Sequence, residues 1–319
     1  MKNFVFAGMR PAVVVVLALA CAAGVAGQAK LRNALNFDTD NKADLTIFRP
    51  SDNTWYIFKS NGGIIAQPFG SRNEDFMVPA DYDGDNVGDI AVWRDTTGTW
   101  YRLLSASNTF TAQPWGQSGD EPVARDFDGD GKADQTVARR SNGIITWYIL
   151  SSQGGFTSTQ FGLTTDFLAP GDYDGDGKWD IAVQRPGASA GAAATFYILN
   201  ATGGYQQISW GQSNDLVVPG DYDGDGFTDI AVVREGTGPG GTLTWLVRKS
   251  SDGGLLSATW GIAETDLNVQ NDYDGDGKTD FAVWRNTDGH FYILNSGGGI
   301  TSVAWGAPGD FPVAAYDSH

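Results

Sequence analysis

A nine-residue acidic loop occurs six times along this 319-residue chain, and each copy places oxygen donors where they could share one hard cation. The clearest copy reads Asp172-Tyr173-Asp174-Gly175-Asp176-Gly177-Lys178-Trp179-Asp180. Loop positions 1, 3, 5 and 9 are Asn36, Asp38, Asp40 and Asp44 in the first copy, and Asp81, Asp83, Asp85 and Asp89 in the second. The third has Asp126, Asp128, Asp130 and Asp134, and the fourth Asp172, Asp174, Asp176 and Asp180. Asp221, Asp223, Asp225 and Asp229 form the fifth, and Asp272, Asp274, Asp276 and Asp280 the sixth. Calcium takes roughly 6–8 oxygens at about 2.3–2.6 Å in a flexible shell. Side chains two apart on a tight loop can converge on such an ion, with the ninth residue closing the cage. Position 7 is expected to add a backbone carbonyl, from Lys42, Val87, Lys132, Lys178, Phe227 and Lys278. Position 6 must reverse the chain, which glycine allows at Gly131, Gly177, Gly226 and Gly277. Asn41 and Asn86 fill that slot in the first two copies, and Asn tolerates the left-handed region.

An EF-hand would need a glutamate at loop position 12. That position holds Ile47, Val92, Val137, Val183, Val232 and Val283, so the EF-hand reading fails. Three or four carboxylates within nine residues would repel one another strongly without a counter-ion. About six Ca2+ sites are therefore expected, the first departing most because it has Asn36 and no glycine.

The loops begin 45, 45, 46, 49 and 51 residues apart, a period that points to an array or a propeller. Each is followed by a short β-branched run such as Asp89-Ile90-Ala91-Val92-Trp93-Arg94, the signature of a buried strand. A second run follows at Trp55-Tyr56-Ile57, Trp100-Tyr101, Trp147-Tyr148-Ile149, Phe196-Tyr197-Ile198, Trp245-Leu246-Val247 and Phe291-Tyr292-Ile293. A third ends in an aromatic-Gly pair, as at Trp115-Gly116 and Trp260-Gly261. After an Asp comes an apolar stretch such as Phe167-Leu168-Ala169-Pro170, which leads into the next loop. Four strands per repeat and no helical pattern predict an all-β fold, a six-bladed β-propeller of four-stranded antiparallel blades. The orphan strand Asp310–Ala315 is expected to close onto the first blade. The alternative, seven blades, needs strands this chain lacks.

These residues resemble the FG-GAP repeat of integrin α-subunit propellers and of bacterial VCBS/FG-GAP proteins. The resemblance rests on aromatic-Gly, then Val217-Val218-Pro219-Gly220-Asp221 through Gly226, then Asp229, and it spans residues 31–319. The repeats are shorter than integrin blades and closer to those of bacterial secreted proteins and fungal propeller lectins. The resemblance implies calcium in the loop between strands 1 and 2 of each blade. It implies less about ligand, because this repeat serves adhesion, sugar binding and enzyme accessory roles.

The formal charge of −17 is mostly loop chemistry, since 23 of the 38 acidic residues belong to the six loops. Six calcium ions would take an exported chain from −19 to about −7. The low pI therefore says little about partners, and nothing in the chain suggests nucleic acid. Lys2 and Arg10 precede an apolar run from Ala12 to Ala23, which reads as an export signal over residues 1–26 with the propeller at 27–319. The run is too short for a spanning helix. Lipoprotein processing at Cys21 is disfavoured because Ala18 stands where such signals prefer Leu. Cleavage after Ala26 removes the only cysteine and leaves calcium as the staple of a secreted, periplasmic or cell-surface protein.

Arg49, Arg94, Arg139, Arg185, Arg234 and Arg285 end the second strand of every blade. A residue needed equally in six blades is expected to pair with a neighbouring Asp or stack on the Trp-Tyr strand. The aromatic-Gly pairs are expected to pack between blades. Ligand recognition should lie where the repeats differ. Two turns on the face away from the loops are enlarged, Pro186 to Ala194 and Glu235 to Gly241, and Glu74, Glu121, Glu235 and Glu264 map there. A non-catalytic module for carbohydrate or protein at the cell exterior is the leading expectation, with a structural surface protein as the alternative. Polysaccharide cleavage would need a carboxylate pair about 5–9.5 Å apart, for which only those four glutamates are candidates. There is no nucleophile elbow, phosphate loop or zinc constellation.

Overall fold

A computed structural model of the chain describes residues 34–71 and 74–314. The segment expected to direct export, 1–26 with Cys21, lies outside them. Among the described residues there are six four-stranded antiparallel sheets and no helix, hence none long and apolar enough to cross a membrane. The second blade shows the plan: Asp75–Met77, Ile90–Arg94, Thr99–Leu104 and Thr109–Pro114 run from the centre outward. In the first blade the innermost strand is Phe311–Pro312, paired with Leu45–Arg49, so the far end of the chain closes the ring as expected. Thr54–Phe58 and Ile64–Pro68 complete that sheet.

The innermost strands are shorter than the apolar stretches predict. The fourth blade has only Phe167–Leu168, and Ala169 N–H then bonds Ala182 C=O at 2.9 Å. Pro170 has no N–H to continue the ladder, and pairing resumes as an isolated bridge between Gly171 and Asp180. Proline thus separates the strand from the acidic loop that follows.

Second strands are buried on both faces, because each is flanked within its sheet and covered by neighbouring blades. The third-strand aromatics Trp55, Trp100, Trp147, Phe196, Trp245 and Phe291 are almost wholly excluded from solvent. Where this residue is Trp, its Nε1–H donates to the carbonyl of the aromatic-Gly pair, as from Trp147 to Phe161 and from Trp245 to Trp260. The aromatic of that pair reaches the next blade: Trp115 Nε1–H donates to Tyr148 C=O at 3.2 Å, and Trp260 to Tyr292 at 3.0 Å. Trp305 donates to Tyr56 C=O at 3.1 Å, which joins the last blade to the first.

Glycine must follow that aromatic for a steric reason. A Cβ on Gly162 would lie 3.0 Å from Val183 Cγ1 of the next blade, and its φ is +99°. Gly70, Gly116, Gly211 and Gly261 stand equally close to Val92, Val137, Val232 and Val283. Aromatic-Gly is therefore a joint between blades, in agreement with the packing role expected for it.

Candidate metal centres and the opposite face

The acidic loops lie between the first and second strands at one end of the ring. Tyr at loop position 2 anchors them: the Tyr82, Tyr173, Tyr222 and Tyr273 hydroxyls donate to Val78, Ala169, Val218 and Val269 carbonyls at 2.7–2.8 Å. The position 1 carboxylate organises the turn. Asp172 accepts Gly175 N–H at 2.8 Å and Gly177 N–H at 3.0 Å. The position 9 carboxylate ties two segments together: Asp180 accepts Tyr173 N–H at 2.8 Å and Ala201 N–H at 2.7 Å. Each carboxylate oxygen can accept a second partner, so these bonds leave capacity for an ion.

Five loops bring three carboxylate oxygens within 4.8 Å of one another: Asp81–Asp83–Asp85, Asp126–Asp128–Asp134, Asp172–Asp174–Asp180, Asp221–Asp223–Asp225 and Asp272–Asp274–Asp276. An all-oxygen donor set on a flexible loop suits a hard cation such as calcium. The remaining members of those loops, Asp89, Asp130, Asp176, Asp229 and Asp280, sit in the same turns. The Asn36 loop is not among the five clusters. There Asn36 Oδ1 accepts Asp38 and Thr39 N–H, and Asp44 accepts Phe37 and Ser60 N–H.

Burial, opposed by backbone hydrogen bonds, raises the position 9 carboxyls to about 7 at Asp134, Asp180 and Asp229. Asp44, Asp89 and Asp280 rise to about 6, as do Asp172 and Asp221 at position 1. Neighbouring carboxylates add to the shift. A carboxyl raised in the folded state stabilises it below the unfolded value of 3.8, and that contribution is lost as pH rises through 6–7. In chelator the protein should therefore melt at a higher temperature at pH 5 than at pH 7.5. In calcium the order should reverse, because protons compete with the ion for the same oxygens. Melting curves at the two pH values in each condition check both signs.

Three features of the loops escaped sequence reasoning. The turn between the third and fourth strands shares this end of the ring and donates hydroxyls to the loop. Ser60 reaches Asp40, Ser105 Asp85, Ser152 Asp130, Thr202 Asp174, Ser250 Asp225 and Ser296 Asp276. A Ser or Thr recurring in all six hairpins was the available signal. The second feature is a closed circuit of backbone bonds. Position 8 N–H of each loop donates to the position 1 carbonyl of the loop before it: Gly88 to Asn36, Ala133 to Asp81, Trp179 to Asp126, Thr228 to Asp172 and Thr279 to Asp221. Ala43 to Asp272, at 2.8 Å, closes it.

The third is position 4, which needs a positive φ as much as position 6 does. Gly84, Gly129, Gly175, Gly224 and Gly275 lie at φ +71 to +85°. The next loop's position 7 side chain lies over each: Lys132, Lys178, Phe227, Lys278 and Lys42. A Cβ on Gly175 would come 2.5 Å from the Phe227 ring. The first copy has Thr39 there, at φ +71°, and the loop after it carries Val87, the smallest of the position 7 side chains. Gly175→Ala should cost about 1–2 kcal/mol from the left-handed backbone alone, with Phe227 displacement in addition. Denaturant unfolding of the single variant, and of the Gly175→Ala, Phe227→Val pair, separates the two contributions.

At the opposite end each strand-terminal arginine grips the Asp that leads into an innermost strand. Arg185 Nε and Nη2 bond the two Asp166 oxygens at 2.9 and 2.8 Å. The pairs Arg49–Asp310, Arg94–Asp75, Arg139–Asp120, Arg234–Asp215 and Arg285–Asp266 repeat that fork. Arg49, Arg94, Arg139, Arg185 and Arg285 also lie 4.4–4.9 Å over Tyr56, Tyr101, Tyr148, Tyr197 and Tyr292. Both expected roles, pairing and stacking, are met by one side chain. The fifth blade has Leu246 at the tyrosine position.

The four glutamates are treated differently by the fold. Glu121 bonds Arg140 through both oxygens, while Glu74 is exposed and lies 3.4 Å from Arg94. Glu235 ends the second strand of the fifth blade, and Glu264 sits exposed in a turn at φ +71°. The structure brings only Glu121, of these four, to the central channel.

That channel is blocked near the acidic loops. A void of about 20 Å³ there is lined by Ala34, Ala80, Ala124, Arg125, Ala133 and Trp179, residues from four different blades. The Trp179 indole is 5% exposed, and the Arg125 guanidinium lies 4.9 Å over it. On the far side of this partition the channel widens to about 430 Å³.

Residues 126–183 match the model of the FG-GAP-like repeat family, from the third acidic loop into the second strand of the fourth blade. No curated protein matches the chain. Among solved structures, virginiamycin B lyase from Staphylococcus aureus is similar at 9% identity and TM-score 0.49, over 88% of this chain and 86% of that one. A functionally unknown protein from Desulfotomaculum acetoxidans is similar at 13% identity and TM-score 0.47, over 85% of this chain and 99% of that one. Likenesses this distant carry no argument about chemistry. With the repeated loops, the aromatic-Gly joints and the ring closed by Phe311–Pro312, the chain is a six-bladed β-propeller in which residues 126–183 match the FG-GAP-like repeat.

Proposed function

We propose that this chain is an exported, calcium-stabilised recognition module that holds a carbohydrate or protein ligand on the face away from the acidic loops and does no chemistry on it. One observation carries the reading. The side chains repeated in every blade are consumed internally: arginines by aspartates, tryptophan N–H groups by carbonyls, loop aspartates by backbone and hydroxyls. They hold the scaffold, and recognition is left to what differs between blades. The enlarged turns differ, and they lie at the arginine end; they are shorter than the sequence suggests, 186–192 and 236–241, because Ala193 and Ala194 start the next strand and Glu235 ends the one before. The third blade makes the same connection tightly through Asn142-Gly143, at φ +51° and +83°.

Bound calcium would let the crowded loop carboxylates stay ionised together. Within each loop, the position 1 side chain orients the turn and the position 9 side chain holds it against the outer hairpin. The apolar run within residues 1–26 supports export, and calcium is abundant at the cell exterior. A glycan array and a panel of extracellular matrix proteins, probed in calcium, test the reading. A variant carrying the Asn142-Gly143 turn in place of residues 186–192 should keep its melting temperature and lose the ligand. Equal signals from the two proteins, or none from either, would favour a structural surface role.

A further inference from the structure

Each blade ends at the waist of the ring in an outermost strand, and among the described residues no further strand lies beside it. The chain is 18% charged, yet none of the six outermost strands contains an Asp, Glu, Lys or Arg. Charge and proline are the usual devices that keep such edges from pairing with another chain. Proline ends the outermost strands of the first two blades, at Pro68 and Pro114.

The third blade has neither device, and its edge Phe156–Leu163 stands out from the rest. Five of its eight residues are exposed, against three of eight in each of Tyr205–Gln212 and Leu255–Ile262. It is apolar at both ends, with Phe156 67% and Leu163 41% exposed, and hydroxyl-rich between. The Phe156 ring leans on Trp115 of the preceding blade, 5.6 Å away between centroids, and is thereby held at the edge.

The symmetry of this strand favours a second copy of the chain as its partner. Pairing with the inner neighbour is regular from Phe156 to Gln160, opposite Leu150 to Thr146, and the register shifts beyond. That regular stretch is centred on Ser158, and Thr157-Ser158-Thr159 reads the same in both directions. A two-fold axis through Ser158 sets Thr157 of each copy opposite Thr159 of the other, a favourable cross-strand pair. The matching stretches Tyr205–Ser209 and Leu255–Thr259 have no such symmetry. Charge agrees with the antiparallel arrangement. The strand runs from the acidic-loop end to the arginine end, so pairing sets the loops of one copy beside the forked arginines of the other. The two acidic ends are kept apart.

We propose that Phe156–Leu163 is a self-association edge, through which two copies pair antiparallel and join two four-stranded blades into one continuous sheet. Each edge is about 27 Å long and about 10 Å thick with its side chains. Two of them bury roughly 500 Å² in all, under the about 1,200 Å² of a stable interface. The dimer is therefore weak and forms as concentration rises. It does not depend on the recognition reading, but it would point the enlarged turns of the two copies in opposite directions.

Sedimentation velocity on the full chain in calcium, from about 1 µM to about 1 mM, brackets association of this strength. Monomer is expected at the low end and a growing dimer fraction at the high end. Added salt should strengthen the dimer, because the edge is neutral and the net charge of −17 repels. Ser158→Lys sets two ammonium groups directly opposite and should lower the association constant by about tenfold or more. Its melting temperature should not change. Ser257→Lys, at the matching position of the fifth blade, adds the same charge and should leave the dimer intact. Monomer at every concentration, weakening by salt, a dimer indifferent to Ser158→Lys, or equal loss in both variants would overturn the proposal. A chain that stays monomeric yet binds a synthetic peptide of residues 156–163 would also overturn it, and would assign the edge to an extended strand of another protein.

Discussion

Chelating calcium should lower the melting temperature by on the order of 20 °C. Five loops form carboxylate clusters able to hold an ion. A site held at 100 times its dissociation constant stabilises the folded state by about 2.7 kcal/mol. Five sites so saturated supply about 13 kcal/mol together, and a chain of this size shifts by roughly 1.5 °C per kcal/mol. The effect should be collective, because the closed circuit of position 8 to position 1 bonds makes each loop a neighbour's support. Asp174→Ala, which removes one ligand without breaking a turn bond from position 1 or 9, should cost a few degrees and one ion of stoichiometry. Scanning calorimetry in calcium and in EGTA, with calcium titrations of both proteins, supplies the numbers. Identical melts in the two buffers would remove calcium from the account of this fold.

Arg185→Met should destabilise the protein by about 3–5 kcal/mol, more than Asp166→Ala does. The asymmetry follows from burial. The Asp166 side chain is 0% exposed, whereas Arg185 retains 34%. Removing the arginine strands a carboxylate with no solvent, the costly direction in which to break a buried pair. Removing the aspartate leaves a guanidinium that water reaches and that still lies 4.4 Å over Tyr197. It also deprives Leu163 N–H of its acceptor, which adds about 1–3 kcal/mol to an otherwise small loss. Urea unfolding of both variants orders them, and equal costs would refute the burial argument. In the fifth blade Arg234 lacks the tyrosine, so Asp215→Ala should cost more than Asp166→Ala.

Much of this was legible in the chain because a repeated unit states its own constraints. Asp at loop positions 3, 5 and 9, Asp or Asn at 1, Asn or Gly at 6, and an aromatic before each joint glycine are local demands on φ, charge and size. The Arg–Asp forks were foreseeable because both partners recur in register, and the ring closure because Asp310 to Ala315 repeats an innermost strand without its blade. The position 4 requirement was visible as five glycines and a Thr, but its cause was not. It depends on the next loop's Lys or Phe lying above, a contact between residues about fifty apart in sequence.

The sequence by itself determined the blade: its four strands, its acidic turn and its number of copies, because these follow from neighbouring residues. Only the tertiary structure decided what the blades enclose. Trp179 is one residue of an acidic loop until six loops are set in a ring and it meets Ala34 from the opposite blade. Glu121, Phe167 and Leu216 look like unremarkable strand positions until closure points them at one axis. Such a cavity belongs to no single repeat, since its walls come from different blades.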